Sequence, residues 1–154
     1  YEKSFVDEAK KIIKSTNFKK IILPIDVVCS DDRQLDNPQN KLISMVQSSD
    51  KILDVGKKTL SKYSDIVKNA KTLFWNGPLG YLEKNPYDFG TIQLSKAIAS
   101  ANNFSIIGGG DTIPIIEKLG IENDISCLST GGGSLLKYIE GEKLPILEKL
   151  GNYE

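Results

Sequence analysis

Three short segments hold the groups best suited to chemistry in this 154-residue chain: Asn76-Gly77-Pro78-Leu79-Gly80, Gly108-Gly109-Gly110-Asp111-Thr112 and Ser129-Thr130-Gly131-Gly132-Gly133. Two of them are built on glycine triplets. Backbone without Cβ atoms can turn tightly and present successive N–H groups outward, which suits the oxygens of a phosphate. Asp111 and Thr112 close the first triplet segment. A carboxylate beside bound phosphates needs a bridging cation such as Mg²⁺, and a threonine hydroxyl can donate to a phosphoryl oxygen. Plainer roles stand beside these: glycine turns serve close packing, aspartate caps helices, and asparagine fits turns.

What the chain lacks narrows the chemistry further. It has no histidine, so a Ser-His-Asp triad, a Cys-His pair, a histidine zinc site or an imidazole base cannot be built from it. Twenty Lys+Arg balance twenty Asp+Glu, and Arg33 is the only arginine, which disfavours a nucleic-acid partner. Cys29 and Cys127 are too few for a zinc cluster and read as buried free thiols of a reducing compartment, so a cytoplasmic location is expected. No apolar run approaches the ~20 residues of a membrane span. Common nucleotide motifs fail as well. Ile113 and Leu136 stand where a third glycine would complete GxGxxG, and Lys51 stands where a P-loop ending at Gly56-Lys57 needs its first glycine.

The three segments must be held by regular elements, and the sequence alternates between helical and strand periods. Phe5, Ala9, Ile12 and Ile13 share a helical face, followed by the apolar run Ile21-Ile22-Leu23 before Pro24. Residues 30–50 are polar, and short strands are expected near Leu42-Ile43 and Met45-Val46. After Lys51-Ile52-Leu53, Gly56 opens a helix with Leu60, Tyr63, Val67 and Ala70 inward; Thr72 to Trp75 reads as a strand, with Trp75 in the core. Leu94, Ala97, Ile98 and Ala101 mark a helix, Phe104 to Ile107 a strand, Ile113 to Leu119 a short helix and Ile125 to Leu128 a strand. A last helix runs from about Gly132 to Ile139 and stops at Gly141. The pattern predicts one α/β domain, a parallel sheet with helices on both faces in a Rossmann-like three-layer arrangement. Each of the three segments then follows a strand, on the edge where such folds bind ligands.

These segments, with four others, resemble the phosphoglycerate kinase family. Trp75 to Gly80 with Glu83 is similar to its WNGPxGxxE segment, Gly90-Thr91 to the GT that follows, Gly108 to Thr112 to its GGGDT loop and Ser129 to Gly133 to its STGGG loop. Leu23-Pro24-Ile25-Asp26, Leu53-Asp54-Val55-Gly56 and Glu140 to Pro145 resemble its LPxD, LDxG and EGxxLP stretches. These seven motifs stand in the family's order across positions 23–145.

The resemblance implies a glycolytic phosphotransferase that moves a phosphoryl group between 1,3-bisphosphoglycerate and ADP, giving 3-phosphoglycerate and ATP. Such a protein has two Rossmann-like domains, one for the acid substrate and one for the magnesium nucleotide. This chain matches the later part of the nucleotide domain, and the expectation is that the substrate domain and the start of the nucleotide domain are missing. Tyr1 at its head, with Met45 the only methionine, fits that expectation. By the same resemblance Glu83 would bond the ribose, and Gly56, Asn76, Gly77 and Pro78 would line the nucleotide cleft. Asp111 would hold Mg²⁺ and Thr112 would contact a terminal phosphate. Gly109, Gly110, Gly132 and Gly133 would offer amides to the transferring phosphoryl. Asp26 and Asp54 are read as turn or cap residues.

Cys127, Leu135, Lys137 and Ile146-Leu147 depart from the family pattern without removing a phosphate donor. The isolated chain is expected to be inactive. Readings of another class are a nucleotide- or phosphate-binding module without catalysis, or an inert remnant. The parent protein is expected to be a monomer. An incomplete open sheet exposes an unpaired edge, so this chain is expected to form dimers or larger assemblies, and light scattering at high concentration checks it.

Overall fold

From residue 51 onward strand and helix alternate as their periodicity predicts, but residues 26–55 hold three strands with no α-helix between them, and the strands pair into two sheets. The computed structural model describes residues 2–151. After a 3₁₀ turn at Lys3–Phe5 come α1 (Val6–Lys14) and a second 3₁₀ segment, Thr16–Lys20. Strands β1 (Asp26–Ser30), β2 (Gln39–Leu42) and β3 (Lys51–Val55) form an antiparallel sheet in the order β2-β1-β3. Helix α2 (Lys57–Asn69) then leads into β4 (Thr72–Asn76), α3 (Phe89–Ala99), β5 (Phe104–Gly108), α4 (Ile113–Leu119) and β6 (Cys127–Ser129). Strands β4, β5 and β6 are parallel neighbours in that order, and α5 (Gly133–Ile139) and α6 (Pro145–Lys149) follow.

The α/β class with a parallel sheet therefore holds for the second half, whereas the first three strands correct the expectation of a single parallel sheet. The reason is connection length. Parallel neighbours need a crossover of a dozen or more residues, which α3 and α4 supply, whereas the short link between β1 and β2 lets the chain reverse. Of the short strands expected in residues 30–50, the one near Leu42 forms as β2, whereas Met45-Val46 ends a 3₁₀ turn at Ile43–Met45 and is no strand. The apolar run Ile21-Ile22-Leu23 forms no strand. A strand exists only beside a partner, and these three side chains stay exposed.

The core gathers on one face of the parallel sheet. Trp75 and Ile107, opposite each other in register, pack with Val67 of α2, Leu94 and Ile98 of α3, Ile116 of α4 and Ile125. Leu60, Tyr63, Leu73 and Leu128 flank that cluster. On the opposite face α5 reaches the sheet through Leu135 beside Gly108, while Phe74 and Phe104 remain exposed. Helix α1 keeps its apolar stripe, yet none of its residues is buried. Cys29 is a buried free thiol, as expected, but Cys127 is free and exposed. No helix among the described residues is long and apolar enough to cross a membrane.

The two sheets are tied together by aspartates that cap helices from other strands. Helix α2 starts at Gly56, which offers no capping side chain. Asp26 of β1 substitutes: its carboxylate accepts the Thr59 N–H at 2.8 Å, the Lys58 N–H at 3.2 Å and the Thr59 hydroxyl at 2.8 Å. The Asn40 side-chain amide adds a further bond at 3.2 Å. Burial pushes this carboxyl up, but the bonds from Thr59, Asn40 and Lys58 outweigh it and hold the group below the usual carboxylate range. A Cβ on Gly56 would collide with the Asp26 carboxylate, so the capping pair requires glycine there.

Replacing Asp26 by Ala strands these buried donors and is expected to destabilise the fold by about 2–4 kcal/mol in urea unfolding. Because the folded pKa lies below the unfolded one, the stabilisation is complete above the ordinary carboxylate pKa and is lost as pH falls through the lowered value. The gap between the parent and Asp26→Asn is therefore expected to be constant at neutral pH and to close below about pH 4.

Candidate functional site

Parallel pairing brings the three glycine-bearing segments to one edge. Asn76, Gly108 and Ser129 are the last residues of β4, β5 and β6, and the register pairs Asn76 with Gly108 and Gly108 with Ser129. A Cβ built on Gly108 would lie 3.1 Å from Asn76 Oδ1 and 3.0 Å from Leu135 Cδ2. One on Gly109 would lie 3.1 Å from the Gly77 nitrogen and 3.3 Å from Thr112 Oγ1. The 76–77 turn and the first triplet are thus in close contact, and side chains on either glycine would force them apart.

The second triplet faces the first across a cleft of about 210 Å³, lined by Gly110, Ile113, Pro114, Ser129, Thr130 and Gly132. Gly109 (φ 104°) and Gly132 (φ 50°) hold backbone conformations that side chains disfavour. Turning the chain this way leaves the amides of Gly110, Asp111, Gly132 and Gly133 without an acceptor among the described residues. Helices α4 and α5 have only seven residues each, so these loop amides carry the anion-binding potential.

Asp111 stands exposed beside the cleft, with no hydrogen bond or ion pair to another described residue. It caps nothing: the N-cap of α4 is Thr112, and no side chain bonds there. Thr112 is fully buried beneath the turn, and its Oγ1 has no partner, an orphaned hydroxyl beside free amides. Together they offer one carboxylate, one hydroxyl and several N–H donors. That set fits Mg²⁺, which takes one or two carboxylates and completes its shell with phosphates and water. No group of three or more acidic, cysteine or histidine side chains among the described residues forms an all-protein metal cage.

Residues 1–142 match the family described as phosphoglycerate kinase. The chain belongs to that family. It is 41% identical over 152 residues to the phosphoglycerate kinase of Vibrio campbellii, covering 97% of this chain and 38% of that protein. The solved phosphoglycerate kinase structure from Coxiella burnetii superposes with a TM-score of 0.83 at 34% identity, over 92% of this chain and 37% of its own. That from Pyrococcus horikoshii OT3 also gives 0.83, at 33% identity, over 96% of this chain and 36% of its own. The chain thus spans less than two fifths of the length of these phosphoglycerate kinases.

The remaining positions singled out in the sequence are outside the lining of the cleft between the two triplets. Glu83 is exposed on the connection between β4 and α3, and Pro78 is half-buried at its start. Gly56 is buried, with its amide donating to the Asp26 carbonyl at 2.8 Å, so its visible role is to seat that aspartate. Sequence reasoning missed what holds the Glu83 connection. Tyr87 is fully buried and donates to the Leu35 carbonyl at 2.7 Å. Lys84 pairs with Asp36 at 2.5 Å and also bonds the Gln34 carbonyl. The Thr91 hydroxyl accepts the Leu79 amide at 3.1 Å. Of these only Thr91 carried a signal, as part of the Gly90-Thr91 motif.

Alanine substitutions are expected to separate the glycines by thermal unfolding. Gly109→Ala combines positive φ with two close contacts and should cost about 1–3 kcal/mol. Gly132→Ala, strained but in open space, should cost about 1 kcal/mol, and Gly110→Ala should stay within about 0.5 kcal/mol of the parent.

Proposed function

We propose that this chain is part of the nucleotide-binding domain of a phosphoglycerate kinase. In the complete protein, phosphoryl transfer between 1,3-bisphosphoglycerate and ADP, giving 3-phosphoglycerate and ATP, takes place above its glycine edge. The observation that carries this reading is the pair of glycine turns facing one cleft, with unspent amides on both and Asp111 beside them. The acid substrate is held by a domain outside this chain, in keeping with a cleft lining that carries no lysine or arginine. Alone, the chain is inactive.

The residues divide the task. Amides of Gly109, Gly110, Gly132 and Gly133 point donors at the oxygens of the moving phosphoryl, where charge spreads as bonds to the leaving and entering oxygens change. Such preset donors are worth roughly 3–4 kcal/mol each when aimed at developing charge. Thr112, its unpartnered hydroxyl buried beneath the first glycine turn, contacts a terminal phosphate once that turn moves aside, and Asp111 holds Mg²⁺. When bound, that ion would neutralise phosphate charge and fix the nucleotide's phosphates. Asn76, Gly77 and Pro78 form the wall on the nucleotide side, Glu83 accepts from the ribose, and Gly56 supports that side by seating Asp26. No protein nucleophile or imidazole base is needed, because in-line placement and charge neutralisation supply the catalysis.

Calorimetry with MgADP on the 154-residue chain tests the reading. Saturable binding that depends on Mg²⁺ is expected, and Asp111→Ala is expected to weaken it at least about tenfold. Unchanged affinity in that variant would remove the metal role. Restoring the rest of a phosphoglycerate kinase to the parent chain is expected to produce ATP formation; binding without turnover in that complete protein would leave a nucleotide-binding module.

A further inference from the structure

Asp54, a turn or cap residue by its sequence and outside the lining of the cleft, occupies the base of the connection that bears Glu83. It is 2% exposed. Its Oδ2 accepts the Gly90 amide at 2.7 Å, near the start of α3, where the helix's own N-cap Asp88 makes no side-chain bond. Its Oδ1 accepts the Val55 amide at 2.8 Å. A Cβ on Gly80 would lie 2.6 Å from the Asp54 carboxylate, and a Cβ on Gly90 would lie 3.0 Å from Asp54 Cγ. The carboxylate is therefore wedged between residues 80 and 90, the two ends of the connection. The preceding residue adds a second tie, since the Leu53 carbonyl accepts the Tyr81 amide at 2.8 Å.

Residues 80–90 thus form a closed surface loop whose ends meet at Leu53-Asp54, and whose far side is braced by Tyr87 on Leu35 and Lys84 on Asp36. Burial pushes the Asp54 carboxyl above the usual range, the Asp88 carboxylate adds to that, and the Gly90 and Val55 amides only partly offset it. A buried carboxyl held by two amides at a loop base, in a space that two glycines leave open, fixes where the loop begins and ends.

We infer that Asp54 is a positioning residue for nucleotide binding: by clamping Gly90 and filling the gap at Gly80 it sets the place of Glu83 relative to the glycine edge. This rests on the nucleotide reading of the site. The role belongs to the sugar side of the ligand and leaves the phosphate cradle untouched.

The test compares MgADP with magnesium tripolyphosphate, which has phosphates but no sugar, on the parent chain, Asp54→Ala and Asp54→Asn. Asp54→Ala is expected to lose about tenfold in MgADP affinity while keeping tripolyphosphate affinity within about twofold, and Asp54→Asn, which retains an acceptor for Gly90, to stay within about threefold for both. Equal losses for the two ligands, or none, would overturn the inference while leaving the nucleotide reading intact. A parent chain that binds tripolyphosphate but not MgADP would overturn both. Should Asp54→Ala not fold, amide exchange on the parent decides: MgADP is expected to slow exchange at Tyr81 and Gly90, tripolyphosphate is not, and an equal response to the two contradicts the inference.

Discussion

Two buried carboxylates, each capping a helix that its own sequence leaves uncapped, hold this fold in register. Asp26 satisfies the first amides of α2 and Asp54 an early amide of α3, and both reach across from the antiparallel strands. A helix start leaves several N–H groups without partners, and burying them unsatisfied is costly. Borrowing the cap from another strand solves this and fixes where the helix sits relative to that strand. The geometry leaves no room for a side chain opposite either carboxylate, hence Gly56 facing Asp26 and Gly80 and Gly90 facing Asp54.

From these anchors the rest of the architecture follows. Helices α2 and α3 lie against each other and against one face of the parallel sheet, which places Trp75 and Ile107 in the core and aligns β4 with β5. Once the three strands are parallel, their last residues end side by side, and the turns leaving them crowd onto one edge. The close approaches at Gly108 and Gly109 show how little space separates those turns. The cleft between the two triplets is a consequence of strand register; contact with the neighbouring turn requires glycine at 108 and 109, whereas Gly110, Gly132 and Gly133 face open space.

The glycine edge itself was largely legible. Runs such as Phe104 to Ile107 are strand-like, a triplet follows, and parallel pairing then assigns the triplets to a common edge. The pairing of the first three strands was not legible, because Asp26–Ser30 and Lys51–Val55 look alike whichever direction their neighbour runs. Nor was the brace of the Glu83 loop. Leu35 accepts from Tyr87 with its backbone carbonyl, and a carbonyl has no sequence signature. Asp54 lies 36 residues from the amide it holds.

The sequence by itself determined the element types of the second half, the glycine turns, the exclusion of imidazole and thiol-histidine chemistry, and family membership. All of these are encoded in residue type and short-range spacing. Tertiary structure alone decided that Thr112 is buried without a partner, that Asp111 caps nothing, that Gly56 seats Asp26, and that Ile21 to Leu23 finds no strand to join. Each of these depends on which distant groups fill the surrounding space, and the free energy of a polar group is set by the partners it meets there.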